Sequence, residues 1–242
     1  MVDFVVTHDD VLARVTARVV ELTTDTDPSG ADVFARTLYE PLDVSDLADH
    51  TIDDLATNAL ALWRFGVRRP ANEPLVHVYA PAHGHTIVDV VVDDMPFIVD
   101  SLTMALDRHD LGVHLVAHPI VRVHRAGDGT LRGVAPTDAS ALDPGAVVLE
   151  SWTHFEVDRE TSPEILDAVR SECERVLRDV QAATSDWLKM LAAARDAIAE
   201  LEVSPPPLDP EDLTEGIQLL RWLMDQHFTF LGYRAYDLRE DG

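Results

Sequence analysis

The sequence predicts an α+β fold, an open sheet with helices on one face and extra helices at its N- and C-terminal flanks. Three observations predict it. Apolar residues recur at helical spacing before residue 70 and again after residue 162. Short valine-rich runs bounded by Pro, Gly and Asp fill the stretch between residues 75 and 157. Charge follows the same division: residues 1–60 hold 13 acids against 3 arginines, residues 61–125 hold 7 acids against 6 arginines, and residues 126–242 hold 24 acids against 10 basic residues. The near-neutral middle is where a buried sheet is expected.

The elements follow in order. Val11, Leu12, Val15, Val19 and Leu22 share one helix face, and Thr7 with Asp10 forms a capping pair ahead of them. Asp25–Gly30 reads as a loop, followed by a short helix around Phe34 and Leu38. Thr51 is a good N-cap for a helix through Leu55, Ala59, Leu62 and Trp63, and Arg68-Arg69-Pro70 ends the helical region. Strands are expected over Leu75–Ala80 and Thr86–Asp93, the second covered on both sides because Val88, Val90 and Val92 alternate with Ile87 and Val91. Pro96 suits the first turn of a helix carrying Ile98, Leu102, Ala105 and Leu106, with Gly112 as its stop. A long strand, Val113–Arg125, turns at Gly127-Asp128-Gly129 into Leu131–Val134, and a further strand spans Ala146–Val157.

Ser162-Pro163-Glu164 starts a helix, and an apolar seam runs from Ile165 to Leu201. It is one long helix or two broken near Thr184-Ser185-Asp186, ended by Pro205-Pro206-Pro207. Asp209-Pro210 opens a last helix, and His227–Leu238 reads as a strand. The order strand, helix, strand, strand, helix is that of ferredoxin-like and ACT-like open sheets. Three segments result: a helical residues 1–70, an ACT-like α+β domain over 71–184, and C-terminal helices with the start of a strand over 185–242.

Composition narrows function. The 242 residues carry 44 acids against 19 basic residues, a formal charge of -25, which excludes nucleic acid and an anionic membrane as main partners. The single cysteine, Cys173, has no internal disulfide partner, and Met1-Val2-Asp3-Phe4 shows no secretion signal, so a cytoplasmic location is expected. No G-x-G-x-x-G follows a strand and no G-x-x-x-x-G-K-[ST] occurs, so no cofactor site is expected in this segment. Eleven histidines include His83-x-His85, His114, His118 and His124, but no H-E-x-x-H or paired C-x-x-C accompanies them, and no metal site is assigned. Lys189 reads as a solvated charge and Cys173 as a buried, inert thiol. Trp63, Trp152, Trp187 and Trp222 read as packing residues.

The most specific stretch is Asp93–Leu102. Acids beside a helix start are favoured electrostatically, and Phe97 and Ile98 enter the core. The same strand–helix junction offers free N–H groups to a small ligand, so Asp94, Met95, Pro96 and Phe97, with Asp100 nearby, are the candidate amino-acid ligand or domain-contact residues. No catalytic residue is assigned.

Asp93-Asp94-Met95-Pro96-Phe97-Ile98-Val99-Asp100-Ser101 resembles the D-[DN]-M-P-F-[IL]-V-D-S segment of the large class of bacterial NAD-specific glutamate dehydrogenases. His227-Phe228-Thr229-Phe230-Leu231-Gly232-Tyr233-Arg234 resembles that family's N-F-T-F-L-G-Y-R, with His227 in place of the more usual asparagine. The resemblance covers essentially the whole chain, most securely residues 75–242. It implies an N-terminal piece of a longer enzyme, with ACT-like domains in front and a distant dehydrogenase domain that uses NAD to interconvert L-glutamate with 2-oxoglutarate and ammonia. It further implies a non-catalytic regulatory or assembly role in a homo-oligomer, whose partners are the rest of the parent chain, other subunits and an amino-acid effector. The junction lacks the glycine that many amino-acid-binding ACT domains carry there, which strengthens the alternative of a purely structural subunit-interaction module.

Overall fold

In a computed structural model, the structure describes residues 7–134 and 147–227, with Phe230, Gly232 and Arg234 beyond them. The chain divides into two compact units, Met1–Arg178 and Asp179–Gly242.

The first unit opens with three helices. In α1 (His8–Leu22) the Thr7 hydroxyl accepts from the Asp10 N–H while Asp10 accepts from the Thr7 N–H, the reciprocal cap the sequence predicts. Thr51 and Asp54 repeat the device at α3 (Ile52–Phe65). Between them, α2 (Ala31–Tyr39) follows Gly30, whose φ of 93 suits a residue without a side chain. Leu12, Val15, Val19, Phe34, Leu38, Leu55, Leu62 and Trp63 of the three helices are buried in one cluster.

The sheet is antiparallel throughout. Its order is β1 (Leu75–Tyr79), β2 (Thr86–Asp93), β6 (Val147–Val157), β4 (Ile120–Arg125) and β5 (Leu131–Val134), and β3 (Val113–Ala117) also pairs with β6. Val113–Arg125 is therefore two strands, not one. β3 and β4 lie end to end along β6, with Val116 opposite Phe155 and Ile120 opposite Ser151. Pro119 causes the break, since it has no N–H to give the ladder; its carbonyl accepts from the Trp152 N–H at 3.1 Å.

β2 is buried along its length except at Asp93, so both its faces are covered, as its valine pattern predicts. Val91 and Trp152 face each other across β2 and β6 and join the cluster of α1, α2 and α3. The opposite face carries Val88, Val90, Val92, Phe155 and Val157, all buried. The apolar faces left in this unit to cover it are those of α4 (Ile98–Asp107) and the first part of α5 (Pro163–Thr184), with Leu102, Leu106, Val169, Cys173 and Leu177 buried. Arg108 of α4 reaches Glu172 of α5 at 3.1 Å.

Two boundaries differ from expectation. α4 starts at Ile98, so Pro96 stands in the turn before it. The Asp94 N–H still donates to Leu149 O at 3.1 Å, and the chain needs residues 95–97 to leave the sheet. At the other end the left-handed residue is Asp110 (φ 57), and Gly112 instead gives its N–H to Asp158 at 2.9 Å.

The second unit contains α6 (Trp187–Val203) and α7 (Pro210–Trp222), so the long seam is two helices, parted after Thr184. Asp209 caps α7 through the Glu211 N–H, and Arg221 meets Glu202 at 2.6 Å. Lys189 is exposed beside Asp186. The strand expected over His227–Leu238 lies largely outside the described residues; His227 itself closes a π-helical turn, Leu223–His227, and stacks on Trp222.

Candidate functional site

Strand periodicity builds the most unusual feature of the first unit. Register sets Asp89 opposite His154, Val91 opposite Trp152 and Asp93 opposite Glu150. Side chains two residues apart share a face, so Asp89, Asp93, Glu150, His154 and Glu156 all lie on the face with Val91 and Trp152, under the N-terminal helices. A layer of charge is thereby placed in the core, where each group needs a partner.

Glu150, fully buried, centres the first group. Its Oε1 accepts from Arg69 Nε at 2.9 Å and Arg125 Nε at 2.6 Å, and its Oε2 accepts from Arg125 Nη2 at 2.8 Å and Trp152 Nε1 at 3.0 Å. Arg69 also pairs with Asp93 and donates to Glu73 O; Arg125 donates to Gly66 O and Gly129 O. Burial opposes the Arg69 charge, but Asp93 and Glu150 together raise its pKa. These bonds fasten the end of α3 and the turn after β4 to the centre of the sheet. Trp152 carries the same junction upward, with Trp63 at 5.3 Å and Phe34 at 4.9 Å between ring centres. Gly66 lies flat on that indole: a Cβ there would sit 2.2 Å from Trp152 Cη2.

The second group is a chain of four. His154 Nδ1 lies 2.6 Å from Asp89 Oδ1, His154 Nε2 lies 3.5 Å from Glu156 Oε1, and Glu156 Oε2 lies 2.8 Å from Nε2 of His50. Tyr79 donates to Asp89 at 3.4 Å from β1. Burial alone would lower the His154 pKa, but Asp89 and Glu156 on either side raise it to about 9. Burial works the other way on Glu156, and His154 and His50 bring it down to about 2. The hydrogen bond that His50 Nε2 gives to the Glu156 carboxylate raises the His50 pKa, against burial. Burial, then Asp89, pushes the Tyr79 hydroxyl up, so it stays a donor. Carboxylates and imidazoles alternate along the chain, with His154 held as the imidazolium at neutral pH, and His50 ties the α2–α3 connector to the sheet. Asp89 with His154 and Glu156 with His50 are hydrogen-bonded directly, whereas the 3.5 Å approach of His154 Nε2 to Glu156 is an ion contact without a hydrogen bond.

The sequence-predicted residues lie elsewhere, where β2 leaves the sheet. Asp94 and Asp100 are exposed, Met95 and Pro96 half-buried, and Phe97 is exposed with a φ of 70 at the cap of α4. The turn sets Asp94 to Phe97 side by side, with Asp100 in the first helical turn. Of the acid pair ending the strand, Asp93 is taken up by Arg69, while Asp94 faces His118, whose pKa burial lowers against that charge. Cys173 is buried and its thiol is pushed up to about 12 by burial, then by Glu172 and Glu174, as an inert thiol requires.

Sequence reasoning missed Arg69, Arg125, Glu150, Asp89, His154, Glu156 and His50. A signal was present: Asp89 interrupts a run of valines, and Glu150, His154 and Glu156 fall on one parity of an apolar strand.

An open antiparallel sheet with helices packed on it defines this as an α+β domain of the ACT-like kind. The family model described as "Glutamate dehydrogenase, ACT1 domain" matches residues 34–173, more than half of the chain, and the chain belongs to that family. It is 38% identical over 219 residues to an NAD-specific glutamate dehydrogenase of Halomonas elongata, covering 87% of this chain and 13% of that protein. The enzyme of the same description from Pseudomonas aeruginosa is 31% identical over 216 residues, covering 86% and 13%. That from Mycobacterium tuberculosis is 31% identical over 183 residues, covering 72% and 11%. The chain thus spans about an eighth of the length of the first two relatives. Among the described residues, no helix is long and apolar enough to cross a membrane.

Proposed function

We propose that this chain is a non-catalytic regulatory and assembly region of a cytoplasmic NAD-dependent glutamate dehydrogenase. The parent would oxidise L-glutamate with NAD and water to 2-oxoglutarate, ammonium and NADH. NAD binds the parent outside this segment, which carries no dinucleotide fingerprint. The observation that carries the reading is the family match over residues 34–173, joined to relatives named for that enzyme and several times longer. The partners are the rest of the parent chain, its other subunits, and an amino-acid effector at the Asp94–Phe97 turn with Asp100.

Thermal unfolding with a panel of amino acids tests the effector. Ligand at 100 times its Kd stabilises the folded state by about 2.7 kcal/mol. For a unit of this size that is a rise in Tm of roughly 5–10 °C. Asp94→Asn with Phe97→Ala should abolish the rise. A second reading, a purely structural subunit-interaction module, draws on the exposed Val203, Leu208, Leu219 and Trp222 of the second unit. It predicts no thermal shift with any amino acid and a concentration-dependent dimer in sedimentation.

A further inference from the structure

A cleft of about 770 Å³ lies on the helical layer, between α1 and the α2–α3 connector. Its apolar lining comes from Val11, Leu47 and Ile52, and its charged lining from Arg14, His50 and Asp53. The acids around it are already engaged. Asp53 accepts from Arg18 at 2.6 Å, Asp54 closes the Thr51 cap, and Asp10 closes the Thr7 cap. The cations are not matched in the same way. Arg18, Arg36 and Arg64, the other arginines of this layer, each meet a carboxylate within 3.3 Å. Arg14 makes no hydrogen bond or ion pair with a described residue, and its charge acts on Asp10, one helical turn back. Arg14 thus presents an exposed guanidinium, not bonded to any described carboxylate, at the edge of a partly apolar hollow, the pairing of charge and apolar surface that an organic anion would meet.

His50 is the one residue that belongs both to this cleft and to the buried chain, through its 2.8 Å contact with Glu156. We propose that the cleft binds a small organic carboxylate with an apolar body, that Arg14 pairs with the carboxylate, and that His50 carries its occupancy into the sheet. The coupling is electrostatic and reciprocal. An anion in the cleft favours the imidazolium form of His50, and that form favours the anion, so affinity falls as pH rises through the His50 titration. The other charges facing His50 are Glu156 and His154 from β6 and Asp54 from α3. The site is separate from the Asp94–Phe97 turn, so it does not rest on the effector assignment made above.

The test is an NMR titration of the 242-residue chain at constant ionic strength, following the His50 imidazole signal, with butyrate and glutarate as probes and butyramide as the uncharged counterpart. The expected result is a saturable shift with either carboxylate and none with butyramide. Arg14→Gln, at an exposed position, should weaken binding at least ~10-fold, the scale of one charge-assisted bond, and Arg14→Lys should recover part of it. In the presence of the carboxylate, the His50 titration should move to higher pH. The proposal is overturned by no His50 shift with either carboxylate, by an equal shift with butyramide, or by unchanged binding in Arg14→Gln. A thermal shift with amino acids that survives Arg14→Gln, with a silent His50 signal, would sink this site and leave the effector reading standing.

Discussion

Replacing Glu150 with glutamine tests whether the buried charge layer holds the helices to the sheet. The glutamate accepts four bonds, two on each carboxylate oxygen, from Arg69, Arg125 and Trp152. Glutamine keeps the shape but turns one oxygen into an NH2 group. Whichever way the amide faces, two donors lose their acceptor and meet N–H instead. Both arginines are almost fully buried, at 2% and 7% exposure, so water cannot replace what is lost. Breaking a buried ion pair from one side costs about 3–5 kcal/mol. Arg69 keeps Asp93, which places the expected loss near the lower end, about 3 kcal/mol. With a urea m-value of about 2 kcal/mol/M for a unit of this size, the midpoint should fall by roughly 1.5 M. Trp63 and Trp152 report the first unit once Trp187→Phe and Trp222→Phe silence the second. Glu21→Gln, which removes an exposed partner of Arg18, is the control and should change stability by less than about 1 kcal/mol. A loss at Glu150→Gln no larger than at Glu21→Gln would show that the buried charge layer does not hold the helices to the sheet.

Further predictions concern the second buried group, one close contact and the thiol. His154, raised to about 9, gives stability that is complete below the unfolded value near 6.5 and is lost as pH rises through about 9. Glu156, lowered to about 2, gives stability that is complete above 4.5 and is lost as pH falls through about 2. The urea midpoint should therefore be highest between about pH 4.5 and 6.5, and His154→Gln should flatten the alkaline limb; an alkaline limb unchanged in that variant would contradict the assignment. Gly66→Ala places a methyl 2.2 Å from the Trp152 ring, and should cost about 1–3 kcal/mol in urea unfolding, with a changed near-UV spectrum. Cys173 should react with a thiol reagent only on unfolding, and rapid reaction in the native chain would contradict its burial.

The pattern of the sequence was most legible where one local signal decides the outcome. The Thr7–Asp10 cap, the N-cap at Thr51, the alternation in β2 and the Gly127-Asp128-Gly129 turn stand as read. The errors came where the chain's neighbours decide. Pro96 is compatible with a first helical turn, but the Asp94–Leu149 hydrogen bond holds the chain on the sheet past that point. Pro119 splits a strand whose valine pattern runs straight through it. The charge layer was hidden for a different reason. Asp93 and Glu150 lie 24 and 81 residues from Arg69; the pairing of β2 with β6 sets the two acids side by side, and the chain after α3 brings Arg69 to both. A burial pattern read one strand at a time shows charged residues on an inner face, but not which partners neutralise them.

On the function proposed above, this region regulates and assembles an enzyme whose chemistry lies elsewhere. The direct measurement is glutamate-dependent NADH formation by the parent enzyme with residues 1–178 removed, followed over a range of L-glutamate concentrations alongside its sedimentation coefficient. NADH should still be formed, with a changed response to amino-acid effectors or a changed assembly state. Complete loss of NADH formation in a truncated enzyme that is folded and assembled as the full-length one is would contradict the proposed function.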